Sequence, residues 1–437
     1  MKKHAIIPIF VPHIGCSESC VFCDQKQITA RSKAPSPEEV RTTIETWLTT
    51  LENTTYSQNN TSSDNSNTVK SFSHVGDIDN FHNTTSSDNL NTVKSFSQVR
   101  DSDDSTIIEI AFYGGSFTAI PMSMQERYLA VAKDYVDSGR VKGLHLSTRP
   151  DCITPEILDM LRNYGVKTIE LGVQSFDDKI LEKSKRGHNS ETVKNACRMI
   201  KEFGVSNSGQ PFFDLGIQLM VGLPGDSLES CIYSAKEAVK LKPKLARIYP
   251  TLVLEGTELM EMYESGEYSP LSREDAILWS KTVYEILDDA GIYIMRVGLK
   301  STDIINSQNL GEINAGPYHP AFRQLVEGEI ARDRICKLLD ELADDKLSHG
   351  APSEVSSQIA ADSHGTEGIE LTYNSSQIAE DPHKTQVALT VYCAPSWISN
   401  AAGHKGVNRE FFRKEYPQFS ISFSPDKTLI PGKFRIE

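Results

Sequence analysis

The chain has 437 residues, 38% of them hydrophobic and 8% aromatic, and carries a formal net charge of −14. That length accommodates a large core plus accessory segments. The acidic balance argues against a broad nucleic-acid-binding face, though not against a local basic patch, and no apolar run approaches the ~18–20 residues of a membrane span. Eight cysteines are too sparse for a disulfide framework. Three crowd into 16–23 while Cys152, Cys197, Cys231, Cys336 and Cys393 stand alone, the pattern of a metal site in a reducing compartment, so a cytoplasmic protein is expected. Met1-Lys2-Lys3, apolar Ala5–Val11 and Gly15-Cys16 imitate a lipoprotein leader, but Pro8, Pro12 and His13 interrupt it and export is not expected.

In chain order, His4–Pro12 reads as an extended apolar strand, and Ser36-Pro37-Glu38-Glu39 opens a capped helix running to about Glu52. Thr54–Ser105 is rich in Ser, Thr, Asn and Asp. It repeats Thr61–Val75 almost unchanged at Thr85–Val99, the composition of a disordered insertion. Strands follow at Thr106–Tyr113, Gly143–Thr148, Lys167–Gln174, Phe213–Val221, Ala246–Val253 and Tyr293–Leu299. The helices expected between them are Met124–Ser138, Thr154–Tyr164, Asp177–Ser184, Glu191–Phe203, Leu228–Leu241 and Arg273–Asp289, the last with an apolar face Ala276, Ser280, Val283, Leu287, Ala290. Six strand–helix units with near-continuous apolar strands predict a parallel sheet covered by helices, a partial (β/α)6 TIM-like barrel of the α/β class. A second polar stretch, about Ser348–Thr385, repeats Ser356–Ala360 at Ser375–Ala379.

The polar and glycine motifs fall at the carboxyl ends of the strands, where sites of such folds lie. Cys16-Ser-Glu-Ser-Cys20-Val-Phe-Cys23 has the spacing C-x3-C-x2-C. Three thiolates in a tight loop fill three iron corners of a 4Fe–4S cluster and leave the fourth open. A structural zinc site, with His13 as a fourth ligand, is the alternative, but zinc favours four closed ligands in other spacings. Gly114-Gly115-Ser116 lets backbone approach a ligand closely, or is a plain turn. Arg149 and Gln174 place polar groups at strand ends, Gln218 points from its strand, and Arg186 suits a bidentate carboxylate contact. The bland alternatives are caps, ion pairs and a satisfied core amide.

The cysteine spacing, with Phe22 before the last cysteine, is the signature of the radical S-adenosylmethionine (SAM) superfamily. The resemblance implies reductive cleavage of SAM at the cluster to a 5′-deoxyadenosyl radical, an electron donor such as flavodoxin or ferredoxin, and SAM contacts from Gly114, Gly115, Arg149, Gln174, Arg186 and Gln218. Gly114-Gly115-Ser116 resembles the family's GGE motif. Ser116 replaces its acidic residue, so the backbone role alone carries over. Tyr164–Ser175, Lys185-Arg-Gly-His188, Gly222-Leu-Pro-Gly225, Arg247-Ile-Tyr-Pro-Thr251 and Ala315–Ala321 together resemble the radical SAM half of the Elongator catalytic subunit. Part of that set is shared with oxygen-independent coproporphyrinogen oxidase. The first two cysteines are closer than in the Elongator subunit, and too little chain follows Ala331 for an acetyltransferase domain, so acetyl-CoA chemistry is not expected.

The tail reads strand Gln386–Cys393, helix Trp397–Ala402, Gly403-His404-Lys405-Gly406, helix Val407–Tyr416 and strand Phe419–Phe423, which resembles the minimal core of a KH RNA-binding module. The GxxG loop would admit phosphates beside Lys405; otherwise it is a helix–helix turn. The expected organisation is a barrel and its extension over 1–53 and 106–330, an insertion over 54–105, a helix and polar linker over 331–385 and an α+β KH-like unit over 386–437. The leading expectation is a radical SAM enzyme acting on tRNA or another RNA. The alternatives are a coproporphyrinogen-oxidase-like enzyme of a small molecule, and a non-catalytic RNA-binding protein with a structural metal.

Overall fold

The computed structural model describes residues 4–11, 20–24, 33–59, 107–205, 209–299, 313–348 and 386–437. Cys16, most of the expected insertion and the polar stretch 349–385 lie outside the described residues. The chain divides into two compact units, Met1–Pro320 and Ala321–Glu437.

In the first unit the strands are β1 (His4–Val11), β2 (Ile107–Gly114), β3 (Gly143–Thr148), β4 (Val166–Gln174), β5 (Asp214–Val221), β6 (Leu245–Pro250), β7 (Val253–Leu254), β8 (Tyr293–Val297) and β9 (Ile313–Ala315). Seven of these form one parallel sheet in the order β1-β2-β3-β4-β5-β6-β8. Each of the first six is followed by helix: α1 (Pro37–Asn59), α2 (Met122–Asp137), α3 (Pro155–Asn163), α4 (Asp178–Lys183) with α5 (Ser190–Glu202), α6 (Leu228–Lys240), and α7 (Glu258–Glu264) with α8 (Arg273–Asp289). This is the expected partial barrel, with β8 as a seventh, edge strand. Apolar residues such as Leu144, Leu146, Ile169, Leu171, Ile217 and Leu219 are buried between sheet and helices. Burial of that apolar area is the main favourable term in folding the sheet.

Local sequence explains most boundaries. Ser36 and Glu39 cap α1 reciprocally, the hydroxyl accepting from the Glu39 amide at 3.2 Å and the carboxylate from the Ser36 amide at 2.6 Å. Thr154 caps α3 ahead of Pro155, Asn189 caps α5, Ser227 caps α6 and Ser272 caps α8. Three expectations change. α1 runs past Glu52 to Asn59. Ala290 is the C-cap of α8 and exposed, because the helix ends before its next inward turn. The strand expected over Ala246–Val253 breaks at Pro250, where Thr251 turns back and its amide bonds the Val221 carbonyl at 2.9 Å. Beyond the break, β7 pairs antiparallel with β9.

The second unit opens with α9 (Phe322–Ser348), a continuous helix that starts before the boundary at 331, where the sequence reading begins a helix and polar linker. Strands β10 (Val387–Cys393), β11 (Phe419–Pro425) and β12 (Phe434–Ile436) form a sheet ordered β11-β10-β12, with β10 parallel to β11 and antiparallel to β12. Between β10 and β11 lie α10 (Ile398–Ala402) and α11 (Val407–Glu415). α9 is bonded to this unit by Tyr416 Oη on Asp340 at 2.8 Å and Arg334 on the Gly432 carbonyl at 2.9 Å.

Gly216 on β5 leaves no room for a side chain. A Cβ there would lie 2.7 Å from Leu245 Cδ1 and 3.2 Å from Glu170 Cβ. Gly216→Ala is therefore expected to destabilise the first unit by about 1–3 kcal/mol, read as a lowered urea midpoint at unchanged slope; an unchanged midpoint would show that β4 and β6 have room to spare.

Candidate active site

The cysteine loop is positioned by main chain before its side chains matter. Val21 is buried, and its amide donates to the Ser184 carbonyl at 3.3 Å while its carbonyl accepts from the Leu259 amide at 2.8 Å. Cys23 closes a turn onto the Cys20 carbonyl at 3.0 Å. Val21 packs with Val253, Leu259 and Tyr268, and Phe22 joins Met260, Met262 and Ala315 against that cluster. The support comes from β7, α7 and β9, three short elements the sequence reading missed.

Arg186 reaches this loop from the segment after α4. Its Nη1 donates to Cys20 Sγ at 2.9 Å and its Nη2 to the Gly172 carbonyl at 2.7 Å. Arg149, at the end of β3, grips Asp151 through two hydrogen bonds of 2.9 Å and donates to the Arg186 carbonyl at 2.7 Å. Its guanidinium braces Arg186. Gln174 sits at the end of β4, just past a register shift, with a left-handed φ of 69°. Its Oε1 accepts from Gln218 Nε2 at 3.0 Å. Cys20, Phe22, Cys23, Arg149, Gln174, Arg186 and Gln218 thus lie at one end of the sheet, between β3 and β5 and the loops above them. Gly114, Gly115 and Ser116 stand at the same carboxyl end, after β2, with the Gly115 amide bonded to the Val11 carbonyl at 2.9 Å.

Below this rim the sheet interior is polar, which the sequence reading did not single out as a cluster. Glu170 accepts from Ser147 at 3.0 Å and pairs with Arg247 at 2.9 Å, while Arg247 lies 4.3 Å over the Tyr113 ring. His145 is 3.7 Å from Glu170 and fully buried. Burial pushes the Glu170 carboxyl up, but Arg247, His145 and Ser147 outweigh it, so it stays below the usual carboxylate range. Burial pushes the Tyr113 hydroxyl up. The signal was present as alternation: His145 and Ser147 on β3, and Glu170, Gly172 and Gln174 on β4, share one face of otherwise apolar strands.

The GxxG segment is a packed turn with one exposed basic tip. Gly403 is buried with φ 76°, and a Cβ on it would meet the Asn408 amide at 2.7 Å. Asn408 is buried and donates to the Gly328 carbonyl at 2.8 Å. His404 Nδ1 lies 3.1 Å from Gln324 Oε1. Lys405 is exposed with φ 54°, and Gly406 has open space where a Cβ would stand.

The donor set at the first site fits an iron–sulfur cluster. Cys20 and Cys23 present sulfur from one turn, and a buried guanidinium N–H aimed at Sγ suits a sulfur carrying charge as a metal ligand. The third cysteine, Cys16, lies outside the described residues. A parallel partial barrel with a cysteine loop above its first strand defines the class of protein. The model of the Radical SAM superfamily matches residues 10–238, and that of the Radical_SAM C-terminal domain matches 243–332. The chain belongs to the radical SAM superfamily, whose cofactors are a 4Fe–4S cluster and SAM.

The chain is 36% identical over 191 residues to the tRNA uridine(34) acetyltransferase of Methanocaldococcus jannaschii, a match covering 39% of this chain and 34% of the relative. It is 28% identical over 191 residues to human Elongator complex protein 3, covering 39% and 33%. The chain thus spans about a third of these relatives. Among solved structures, the archaeal Methanocaldococcus infernus Elp3 with an N-terminal deletion superposes with a TM-score of 0.50 at 21% identity, covering 76% of this chain and 64% of that one. Among the described residues no helix is long and apolar enough to cross a membrane.

His188 follows Arg186 closely, and its side chain is fully buried. Burial first, then Arg186 and Arg149, lower its pKa from 6.5 to about 4. A depressed pKa means the unfolded chain binds the extra proton between these values. The neutral ring's contribution is complete above pH 6.5 and is lost as pH falls toward 4, on the order of 3 kcal/mol at most. His188→Gln should flatten the decline in stability between pH 6.5 and 4, measured by urea unfolding at each pH; a variant tracking the parent throughout would contradict this.

Proposed function

We propose that the chain is a radical SAM enzyme acting on tRNA, with Cys16, Cys20 and Cys23 holding the cluster. When bound, the cluster would supply one-electron reductive cleavage of SAM, with the electron coming from a flavodoxin- or ferredoxin-like donor. The protein's own residues do the positioning. Val21 and Phe22 seat the cysteine turn, Arg186 and Arg149 fix its sulfur-facing side, and the bonded amides of Gln174 and Gln218 are the polar side chains that would meet SAM. Gly114 and Gly115 offer backbone to its amino group, and Ser116 lies beside them. The Glu170–Arg247 pair gives the interior a fixed polar floor.

The observation that carries the reading is the cysteine turn bound to Arg186 at the carboxyl end of a parallel barrel. The tRNA substrate is supported by the activity named for the curated relatives, and by an exposed basic tip at Lys405 between two helices of the second unit. Seven basic and four acidic side chains over 403–437 suit phosphate contact there, with Gly403, His404 and Gly406 shaping the turn.

The protein purified without oxygen, supplied with iron, sulfide, a reductant and SAM, should release 5′-deoxyadenosine, and bulk tRNA should raise the yield several-fold. Serine at Cys16, Cys20 or Cys23 should lower it by at least a hundredfold. Lys405→Glu should weaken tRNA binding about tenfold and leave the tRNA-free yield unchanged. Product formation indifferent to tRNA, with no retention of tRNA by the protein, would overturn the substrate assignment.

A further inference from the structure

We propose that Arg186 is a tuning and positioning residue for the sulfur of Cys20, setting the reduction potential of the cluster by a charge-assisted N–H···S hydrogen bond. The inference rests on the cluster assignment above and extends it. The sequence reading gives Arg186 to the SAM carboxylate; within the protein its Nη groups meet a sulfur and a carbonyl. Nη1 lies 2.9 Å from Cys20 Sγ, and Nη2 is anchored 2.7 Å from the Gly172 carbonyl. A single guanidinium therefore ties the cysteine turn to the bulge in β4.

The guanidinium is held at both Nη atoms, while its Nε is buried without a hydrogen-bond partner. Arg186 is 6% exposed, and Phe22 lies with its ring centroid 6.0 Å from Cζ. Its amide bonds the Leu181 carbonyl at 3.0 Å, and its carbonyl accepts from Arg149 at 2.7 Å. Lys185 before it and Gly187 after it both have left-handed φ, 51° and 71°, so the chain makes a tight reversal that presents residue 186 to the cysteine turn. Ser184, two residues earlier, accepts from Val21, so the same reversal grips the cysteine loop by main chain and by side chain. Gly172 completes the arrangement. A Cβ there would stand 3.1 Å from Gln174 Nε2 and 3.5 Å from Arg186 Nη2, so the absence of a side chain leaves the guanidinium its place.

An N–H donor and a positive charge at a ligating sulfur stabilise the reduced cluster, which carries one more electron, over the oxidised one. Low exposure strengthens the effect by limiting solvent screening. Removing the group should therefore make the cluster harder to reduce. Lysine keeps the charge but cannot reach two acceptors with the rigid fork of arginine, so Arg186→Lys should fall between the parent and Arg186→Gln.

The test uses the full chain, reconstituted without oxygen, as wild type, Arg186→Lys and Arg186→Gln. Iron and sulfide are counted per chain, the midpoint potential is found by a redox titration followed by electron paramagnetic resonance without SAM, and SAM affinity is measured separately. The expected result is a full cluster with its midpoint shifted to more negative potential in Arg186→Gln and by less in Arg186→Lys. Iron lost from Arg186→Gln and restored by Arg186→Lys would support the same assignment, through placement of Cys20. An unchanged midpoint at full iron content, with SAM affinity down tenfold or more, would return Arg186 to the SAM carboxylate and overturn the inference alone. A wild-type chain that takes up no iron overturns the cluster assignment and this inference with it.

Discussion

Two main-chain hydrogen bonds at Val21 are the constraint on which the site depends. The amide is held by Ser184 and the carbonyl by Leu259, so the cysteine turn is suspended between the segment after β4 and the helix after β7. A buried peptide group needs both partners, and here one partner is the C-cap of α4 and the other lies in the first turn of α7. The backbone of the turn that carries Cys20 and Cys23 is therefore fixed from both sides. Side chains then add direction: Arg186 to one sulfur, Phe22 into an apolar nest, Arg149 as a brace behind Arg186. The amino-terminal loop contributes sulfur, and the rest of the first unit contributes placement.

The interior beneath that turn follows a consistent logic. An ion pair between Glu170 and Arg247 is fixed by Ser147 and stacked on Tyr113. Buried charges are tolerated where they are paired and hydrogen-bonded, and breaking one partner away is strongly destabilising. Small residues alternate with these groups, Gly172 on β4 and Gly216 on β5, and leave the larger polar side chains their space. A polar interior of fixed geometry suits a site that binds a charged, highly polar cofactor, because its donors are oriented before the ligand arrives.

Much of this was legible in the sequence. The sheet strands are apolar runs ended by turn residues, and most of their helices begin at a capping Ser, Thr, Asp or Asn, because both signals are local. The cysteine spacing is local as well. Other features were not legible because their causes are tertiary. β7 and β9 are too short to show a pattern, and they exist because Pro250 ends β6 and the chain finds a partner near residue 313. α7 is a helix of seven residues between two turns. Arg186 and Cys20 are 166 residues apart, so nothing local connects them. The guanidinium was readable as a carboxylate partner, and its neighbour in space is a sulfur. In the tail, Gly403-His404-Lys405-Gly406 was readable as a phosphate loop. The structure adds that Gly403 is required by the close approach of Asn408, while Lys405 alone projects from the turn.

The central claim is that three sulfurs near the amino terminus hold a 4Fe–4S cluster with one iron open to SAM. Electron paramagnetic resonance of the reduced, anaerobically reconstituted chain, recorded with and without SAM, tests it most directly. The account predicts the signal of a single reduced 4Fe–4S cluster whose g-values change when SAM is added. A reduced cluster whose spectrum ignores saturating SAM, or a chain that binds zinc and shows no signal, would contradict it.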